Sequence, residues 1–386
     1  MKNFLVMMPT YTTMDHLNKD PLSFAYYLAK DYGWQVSYAY FGKEKIKDAD
    51  LESYCCLIYL GEEKDEDREI KIGENFLREN AVQYDVLMCF NYGKPTRHWS
   101  TVAKKYHPAI CVYDKLDMSA GGFSHFYDGT IWREVKNISE LYKLRYVDFF
   151  TVESRLYYEK LVKTRLFRNR IGYLSNGVSM REVDERRLAE VKKENIVLTV
   201  GRLGSSSKRT DLFLEAILSL PRDLLAQWKF YFVGSMEATF AERIRSVIED
   251  DSLLKEHVVC TGEIYDRQEL YEIYAKSKIF VMPSKSESFC LATVEAMMQG
   301  CFPVCTDYGA AVYDQLDYGK MGMIISSSTV PVLSATLESV MRREHLHERE
   351  IREYAKKMFS YEMLTRKLNC YLEKCVGGTY ENDKKQ

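Results

Sequence analysis

Two segments of this chain place charged side chains where a diphosphate-linked sugar could be held. In GRLGSSSKRTD (201–211), an apolar run that reads as a buried strand ends in Gly201 and Arg202. A loop of small residues follows, and Lys208 and Arg209 stand just before a helix expected to be capped by Thr210 or Asp211. Three cationic side chains and a helix N-terminus on one loop suit a diphosphate, which needs charge neutralisation and backbone donors. A solvated basic loop has the same composition, and the segment alone does not separate the two. Its glycine–lysine order is not that of a GxxxxGK[ST] phosphate loop.

The second segment is PSKSESFCLATVEAMMQG (283–300). Its pattern predicts a strand ending at Met282 and an amphipathic helix from about Leu291 to Gln299, stopped by Gly300. Glu287 then lies in the loop and Glu295 about one turn into the helix. The N–H groups near Phe289, Cys290 and Leu291 would point at an anion. A loop carboxylate can accept hydrogen bonds from sugar hydroxyls, and one on the helix can take both hydroxyls of a ribose. Glu295 by itself would equally serve as an acid favoured near a helix N-terminus.

Glu287 and Glu295 form an E-x7-E pair within ESFCLATVEAM, preceded by MPS and followed by GCFPV. This resembles the donor-site signature of the retaining GT-B glycosyltransferases, in particular family 4, the glycosyl transferases group 1. The likeness continues through VGRL with Lys208, VVCTGE (258–263), LSNGV (174–178) and YVDFFTVES (146–154). It is dense across roughly 146–310 and weak before that.

The resemblance implies a metal-independent hexosyltransferase-type enzyme that moves a sugar, with retention, from a nucleoside diphosphate. UDP-sugars are favoured, and no cofactor is implied beyond that donor substrate. The acceptor would be a hydroxyl of a glycan, glycolipid or protein, in cell-surface polysaccharide synthesis. Gly201, Arg202 and Lys208 would hold the diphosphate and stabilise charge on the leaving nucleotide. Glu287 would contact the transferred sugar, beside the backbone of Phe289, Cys290 and Leu291. Glu295 would bind the ribose, and the backbone of Glu263 and Ile264 would meet the base. Relatives usually carry glycine where this chain has Cys290, so the room around the sugar is expected to shrink.

The first half departs from the family. PTYTTMDHLN stands in place of a Gly-Gly loop, and CVYDKLDMSAGGF replaces the region that often supplies a histidine facing the anomeric carbon. Asp114, Lys115 and Asp117 occupy that loop, and Lys115 and Asp117 are the candidates for its polar role, beside the alternative of a salt-bridged loop at a strand end. These departures keep open a sugar-nucleotide epimerase on the same frame, or a non-catalytic subunit supporting another transferase.

Short apolar runs alternate with longer helical patterns, twice over. Strands are expected at 4–9, 35–41, 54–60, 84–90, 109–114 and 149–154, then at 195–203, 229–235, 257–262 and 278–284, with FPVCT and MGMIIS after them. A polar, strandless interval at about 176–194 separates the two series. This is an α/β chain, expected to form two Rossmann-like doubly wound domains facing a central cleft. The first spans 1–175 and the second 176–360; a helix in 361–386 is expected to pack back on the first, before a frayed tail. Ligands of such sheets sit beyond the carboxyl ends of the strands, at the topological switch point.

Composition narrows the classes. The chain has 386 residues, 46% hydrophobic, and a net charge of −2, so no global field points to nucleic acid. Ten cysteines include no CxxC pair. Cys55, Cys56, Cys89, Cys111, Cys260, Cys301 and Cys305 adjoin apolar runs, which predicts reduced, structural thiols in a cytoplasmic protein. No run of about 18 apolar residues could span a membrane. A basic run (Lys160, Lys163, Arg165, Arg168, Arg170) leaves peripheral contact with the inner membrane face open, beside a solvated helix face. EEKDEDRE (62–69) reads as a charged loop, and GGFSHFYDGTIW (121–132) as a mobile loop whose aromatic residues could stack on an acceptor sugar. The scattered histidines suggest no metal site, and nothing fixes the oligomeric state.

Overall fold

A computed structural model describes residues 1–13 and 16–377. Met14, Asp15 and 378–386 lie outside the described residues, and with them most of the tail expected to fray. The chain divides into two compact units. One joins Met1–Ser179 to the segment from Phe359 onward; the other is Met180–Met358. The divisions thus fall a few residues from the expected 175/176 and 360/361.

The first unit holds β1 (Asn3–Tyr11), β2 (Gln35–Phe41), β3 (Cys55–Gly61), β4 (Val86–Phe90), β5 (Cys111–Lys115), β6 (Phe149–Val152) and β7 (Ile171–Tyr173). Phe4, Leu5, Val6 and Met7 of β1 are all fully buried, as a strand covered on both faces requires. Phe4 aligns with Val36 on one side and Val86 on the other, and every ladder of the sheet is parallel. The order is β3-β2-β1-β4-β5-β6-β7. Strand β7, three residues long with Gly172 at its centre, shows no apolar run in the sequence.

The second unit holds β8 (Glu194–Val200), β9 (Lys229–Val233), β10 (Val258–Gly262), β11 (Ser277–Met282), β12 (Phe302–Thr306) and β13 (Met323–Ile325). They form a second parallel sheet, β10-β9-β8-β11-β12-β13. Each unit therefore shows the 3-2-1-4-5-6 order of a Rossmann sheet, with β7 added to the first. The order reverses between β1 and β4, and between β8 and β11. Those are the two places where the topology opens a crevice.

Two stretches read as loops are helical. Ser119 Oγ accepts from Gly122 N and starts the helix Ala120–Phe126; Thr130 Oγ1 accepts from Arg133 N and starts Ile131–Lys143. Asp65 caps Glu66–Asn80, so the acids at 66–69 form a first helical turn, where negative charge is favourable. The interval before β8 holds the short helix Glu185–Ala189, capped by Asp184.

The helix Tyr361–Val376 belongs to the first unit. Tyr361 packs edge-on against Phe24 with ring centroids 5.1 Å apart, and Trp34 Nε1 donates to Asn369 Oδ1 at 2.7 Å. Cys375 on this helix is disulfide-bonded to Cys111 of β5, which corrects the expectation that Cys111 is a reduced thiol. The pairing joins residues 264 positions apart, so no local spacing announces it. Cys56 and Cys260, read as small buried hydrophobes, are exposed.

Candidate active site

Strand β8 ends against its neighbour by a glycine–glycine contact. Gly234, just after β9, has φ +129°, and a Cβ there would lie 2.0 Å from the carbonyl oxygen of Gly201. Gly201 N in turn donates to Val233 O at 3.0 Å. Beyond this turn Arg202 is exposed. The loop then closes on itself, with Lys208 N and Arg209 N both donating to Ser205 O at 3.1 Å. Thr210 Oγ1 accepts from Gly204 N at 2.7 Å. The helix Thr210–Leu218 is not capped by Thr210 or Asp211. Its N-cap is Arg209, in the left-handed region at φ 49° and without a side-chain bond to the helix.

The segment after β11 is stitched to this loop and to the end of β12. Lys285 N donates to Ser207 O at 2.8 Å, and Glu287 N donates to Tyr308 O at 3.0 Å. These bonds bring Lys208 Nζ to 2.7 Å from Glu287 Oε1, with 19% and 15% of the two side chains exposed. A cation and a carboxylate thus meet beyond two adjacent strands, β8 and β11, at the switch point of the sheet. Being nearly covered, the pair is screened less than a surface ion pair.

Glu287 is followed by the helix Leu291–Met298, whose N-cap is Cys290 at φ 70°, with no side chain capping its first turn. Thr293 N donates to Cys290 O at 3.3 Å, and no side chain satisfies the N–H groups ahead of it. A buried network that the sequence did not announce braces this turn. Gln315 Nε2 donates to Phe289 O at 2.5 Å, the Tyr308 hydroxyl donates to Gln315 Oε1, and Tyr308 lies 3.2 Å from Thr293 Oγ1. Burial, with Glu287's charge acting in the same direction, raises the Cys290 thiol to about 11, so it stays neutral.

Glu295 is held from a neighbouring helix. Tyr274 OH donates to Oε2 at 3.1 Å, and the Arg267 guanidinium lies 3.8 Å from Oε1. Burial pulls the Arg267 pKa down, but the Tyr271, Glu295 and Glu182 charges outweigh it and leave it raised. Glu263 and Ile264 follow Gly262 at the end of β10, the edge strand two places from β8. At about 4.8 Å per strand that is roughly 10 Å across the sheet. Glu263 is exposed and accepts from Tyr265 OH at 2.9 Å, while Ile264 is half-buried. Among the described residues no cluster of three or more His, Cys, Asp or Glu side chains could hold a metal ion.

Residues 180–358, which carry all of this geometry, match the family described as glycosyl transferases group 1. The second unit is a glycosyl transferases group 1 domain. Solved structures extend the likeness over the whole chain. Anabaena Alr3699/HepE in complex with UDP is 13% identical with a TM-score of 0.67, covering 97% of this chain and 100% of that one. A glycosyltransferase from Rickettsia africae is 14% identical with a TM-score of 0.72, over 97% and 99%. The lipopolysaccharide outer core galactosyltransferase WaaB, in its apo form, is 14% identical with a TM-score of 0.68, over 98% and 99%. The fold is thus the GT-B type, built from two Rossmann-like units. A Klebsiella pneumoniae protein described as an uncharacterized 41.2 kDa protein in the cps region is 27% identical over 212 residues, 53% of this chain and 55% of that protein. That match spans about half the length of the curated relative.

Outside the glycosyl transferases group 1 domain, the first unit gathers a different set at the carboxyl ends of its strands. Lys115, expected in a loop, is the last residue of β5 and fully buried. Its Nζ lies 2.8 Å from Asp20 Oδ2 and donates to Asn176 Oδ1 at 2.7 Å. Asp20 also accepts from Gly177 N at 3.1 Å and from the Tyr361 hydroxyl. The ammonium is therefore committed to a buried pair; removing either partner would cost about 3–5 kcal/mol. Asp117 does lie in the loop after β5, half-buried, with its N–H donating to Asn91 Oδ1 at 2.9 Å.

Glu153, after β6, was missed. It is fully buried, and its Oε1 accepts from Met118 N at 3.0 Å, tying it to the loop that carries Asp117. Burial, then the Asp117 charge, pushes its carboxyl up to about 8 although Lys115 pulls the other way. Asp114, fully buried in β5, is raised to about 7 by burial alone. Glu153 lies in the YVDFFTVES segment, where nothing in the sequence distinguishes a buried acid from a strand-end one.

Proposed function

We propose that this chain transfers a glycosyl group from a nucleoside diphosphate sugar, UDP-linked first, to a hydroxyl acceptor with retention of anomeric configuration. The observation that carries the reading is the Lys208–Glu287 pair at the switch point of β8 and β11, beside the uncapped helix that also bears Glu295. Arg202, Lys208 and the N–H groups of Phe289–Leu291 would take the diphosphate; Glu287 would accept from the sugar hydroxyls and Glu295 from the ribose. The Glu263–Ile264 backbone would meet the base. HepE, solved with UDP, and the Klebsiella relative in a cps region support a UDP-sugar donor and a polysaccharide or glycolipid acceptor.

In the proposed step the bond between the anomeric carbon and the diphosphate oxygen breaks and the electron pair leaves with the nucleotide. The acceptor oxygen bonds to the same face, and its proton passes to the departing diphosphate. Preorganised cations aimed at that developing charge are the main expected source of acceleration. Metal is not required in this scheme, because Arg202 and Lys208 supply the positive charge.

The test is a panel of UDP- and GDP-sugars offered to the chain with a chelator present, read first by melting temperature and then by transfer. A donor at about 100 times its dissociation constant adds roughly 2.7 kcal/mol of stability. Stabilisation by one UDP-sugar and transfer that survives the chelator are the expected results. A donor that is isomerised without transfer, or that binds without any turnover until another protein is added, would instead favour an epimerase or a supporting subunit.

A further inference from the structure

The helix Ile131–Lys143 of the first unit is packed inside out. Its inward face carries Asn137 and Glu140, both buried, with Leu144 just beyond. Asn137 Nδ2 donates to Phe126 O at 2.9 Å, and Glu140 accepts from Lys143 Nζ at 2.7 Å. Its outward face carries Ile131, Trp132, Val135, Ile138 and Tyr142, with Ile131 82%, Trp132 77% and Tyr142 68% exposed. At about 100° per residue these five side chains fall within an arc of roughly 120°, with Ser139 among them. Such an ordering is the reverse of what a helix on a soluble core requires.

Basic side chains edge this face. Lys136 and Lys143 fall beside Trp132 on the same helical projection. Just past the helix, the Arg145 guanidinium stacks on the Tyr142 and Tyr146 rings at 3.9 and 4.5 Å from their centroids. Among the acids whose side chains are described, Glu140 faces inward, Asp128 pairs with Arg133, and Asp148 pairs with Lys104; Glu134 takes the opposite edge of the projection, beside Ile138, so the basic edge is the one at Trp132. Of the earlier basic run, Arg170 is committed to the fold, donating to Leu144 O and Val147 O at 3.1 and 3.0 Å.

We infer that this face docks on an anionic lipid surface, lying in the plane of the interface with Trp132 and Ile138 inserted and Lys136 and Arg145 at the headgroups. An apolar stripe that holds a Trp and a Tyr, with lysines beside it, is the composition of an interfacial helix. A second protein is the poorer occupant. A helix of 13 residues is about 20 Å long and its stripe about 10 Å wide, roughly 200 Å², against about 800 Å² per partner in a stable complex. This inference does not depend on the proposed reaction.

The four tryptophans make the test direct, because Trp34, Trp99 and Trp228 are buried and only Trp132 is exposed. The full chain is mixed with vesicles of phosphatidylglycerol and phosphatidylethanolamine, or of phosphatidylcholine alone, and followed by flotation and tryptophan emission. Flotation with the anionic vesicles and a blue shift are expected. In Trp132→Phe the shift should vanish while flotation persists. Trp132→Ser with Ile138→Ser, and separately Lys136→Glu with Arg145→Glu, should each weaken anionic-vesicle binding about tenfold or more at unchanged melting temperature. Equal binding to both lipids, or undiminished binding by both double variants, would overturn the inference. So would a lowered melting temperature in the serine variant, which would show the face packed within the protein, or loss of a lipid-free dimer, which would assign it to a second copy.

Discussion

Lys208 and Glu287 reach each other, at 2.7 Å, from the carboxyl ends of two strands that are neighbours in space but separated by two others in sequence. The pairing holds the ammonium beside the uncapped turn at Cys290 before any donor arrives. If that ammonium stabilises the leaving diphosphate, its effect belongs to the transition state. Lys208→Ala should then lower the turnover number about 10²–10³-fold, with the donor dissociation constant changing far less. Single-turnover kinetics and donor titration on the same variant decide it. A near-normal turnover number would remove Lys208 from the chemistry.

Cys290 holds a left-handed backbone at φ 70° that glycine adopts without penalty. A left-handed non-glycine residue costs about 1–2 kcal/mol, whereas loss of this small buried side chain costs a comparable amount. Cys290→Gly is therefore expected to melt within a few degrees of the parent. Cys290→Val, branched at Cβ in the same conformation, should melt well below both. Thermal unfolding of the three proteins side by side is the measurement.

The contact between Gly201 and Gly234 leaves no room for a methyl group. Gly234→Ala should destabilise the second unit strongly and weaken donor binding, since the displaced carbonyl belongs to the turn carrying Arg202. Gly262→Ala is the control. It too has a positive φ, +74°, but open space around it, so its cost should be limited to about 1–2 kcal/mol of backbone strain. Equal losses in both would deny the close approach its importance.

Glu153, raised to about 8, and Asp114, raised to about 7, bind protons more tightly in the folded chain than in the unfolded one. Stability from this source is complete below pH 4 and is lost as pH rises toward 8, because the unfolded chain releases its protons first. Melting temperature should therefore fall between pH 5 and 8, and Glu153→Gln should flatten that fall. A profile unaltered by Glu153→Gln would mean that its carboxyl is already ionised at neutral pH.

How far the sequence foretold this arrangement depended on the span of chain each feature occupies. Glu287 and Glu295 lie in one unbroken segment, so their spacing alone put one in a loop and one on a helix, as observed. The strand positions followed from alternating apolar runs, except for β7, where Gly172 interrupts a three-residue strand. Tyr308 and Gln315 brace the turn at Phe289 from beyond the next strand, and nothing near Phe289 asks for them. Lys115 closes an apolar run and so looked like a loop residue. Its partners Asp20 and Asn176 come from distant parts of the chain, and only the folded sheet assembles them. The helix at 131–143 did not emerge from the sequence: its first aromatic residues were placed in a loop, and burying Asn137 and Glu140 while exposing Trp132 and Ile138 is the reverse of the pattern that marks a helix on a core.

The helix Tyr361–Val376 completes the first unit only after the whole second unit has been synthesised. At about 5–20 residues per second, the ribosome needs roughly 10–40 s to deliver the intervening residues. Throughout that wait the surface that receives Tyr361, Leu364 and Leu368 is uncovered. The second unit has no such delay, so the later-made half can finish folding ahead of the earlier one. Newly made chains should accordingly be most vulnerable to chaperone capture and proteolysis on the helix Asp20–Tyr32, against which the returning helix packs.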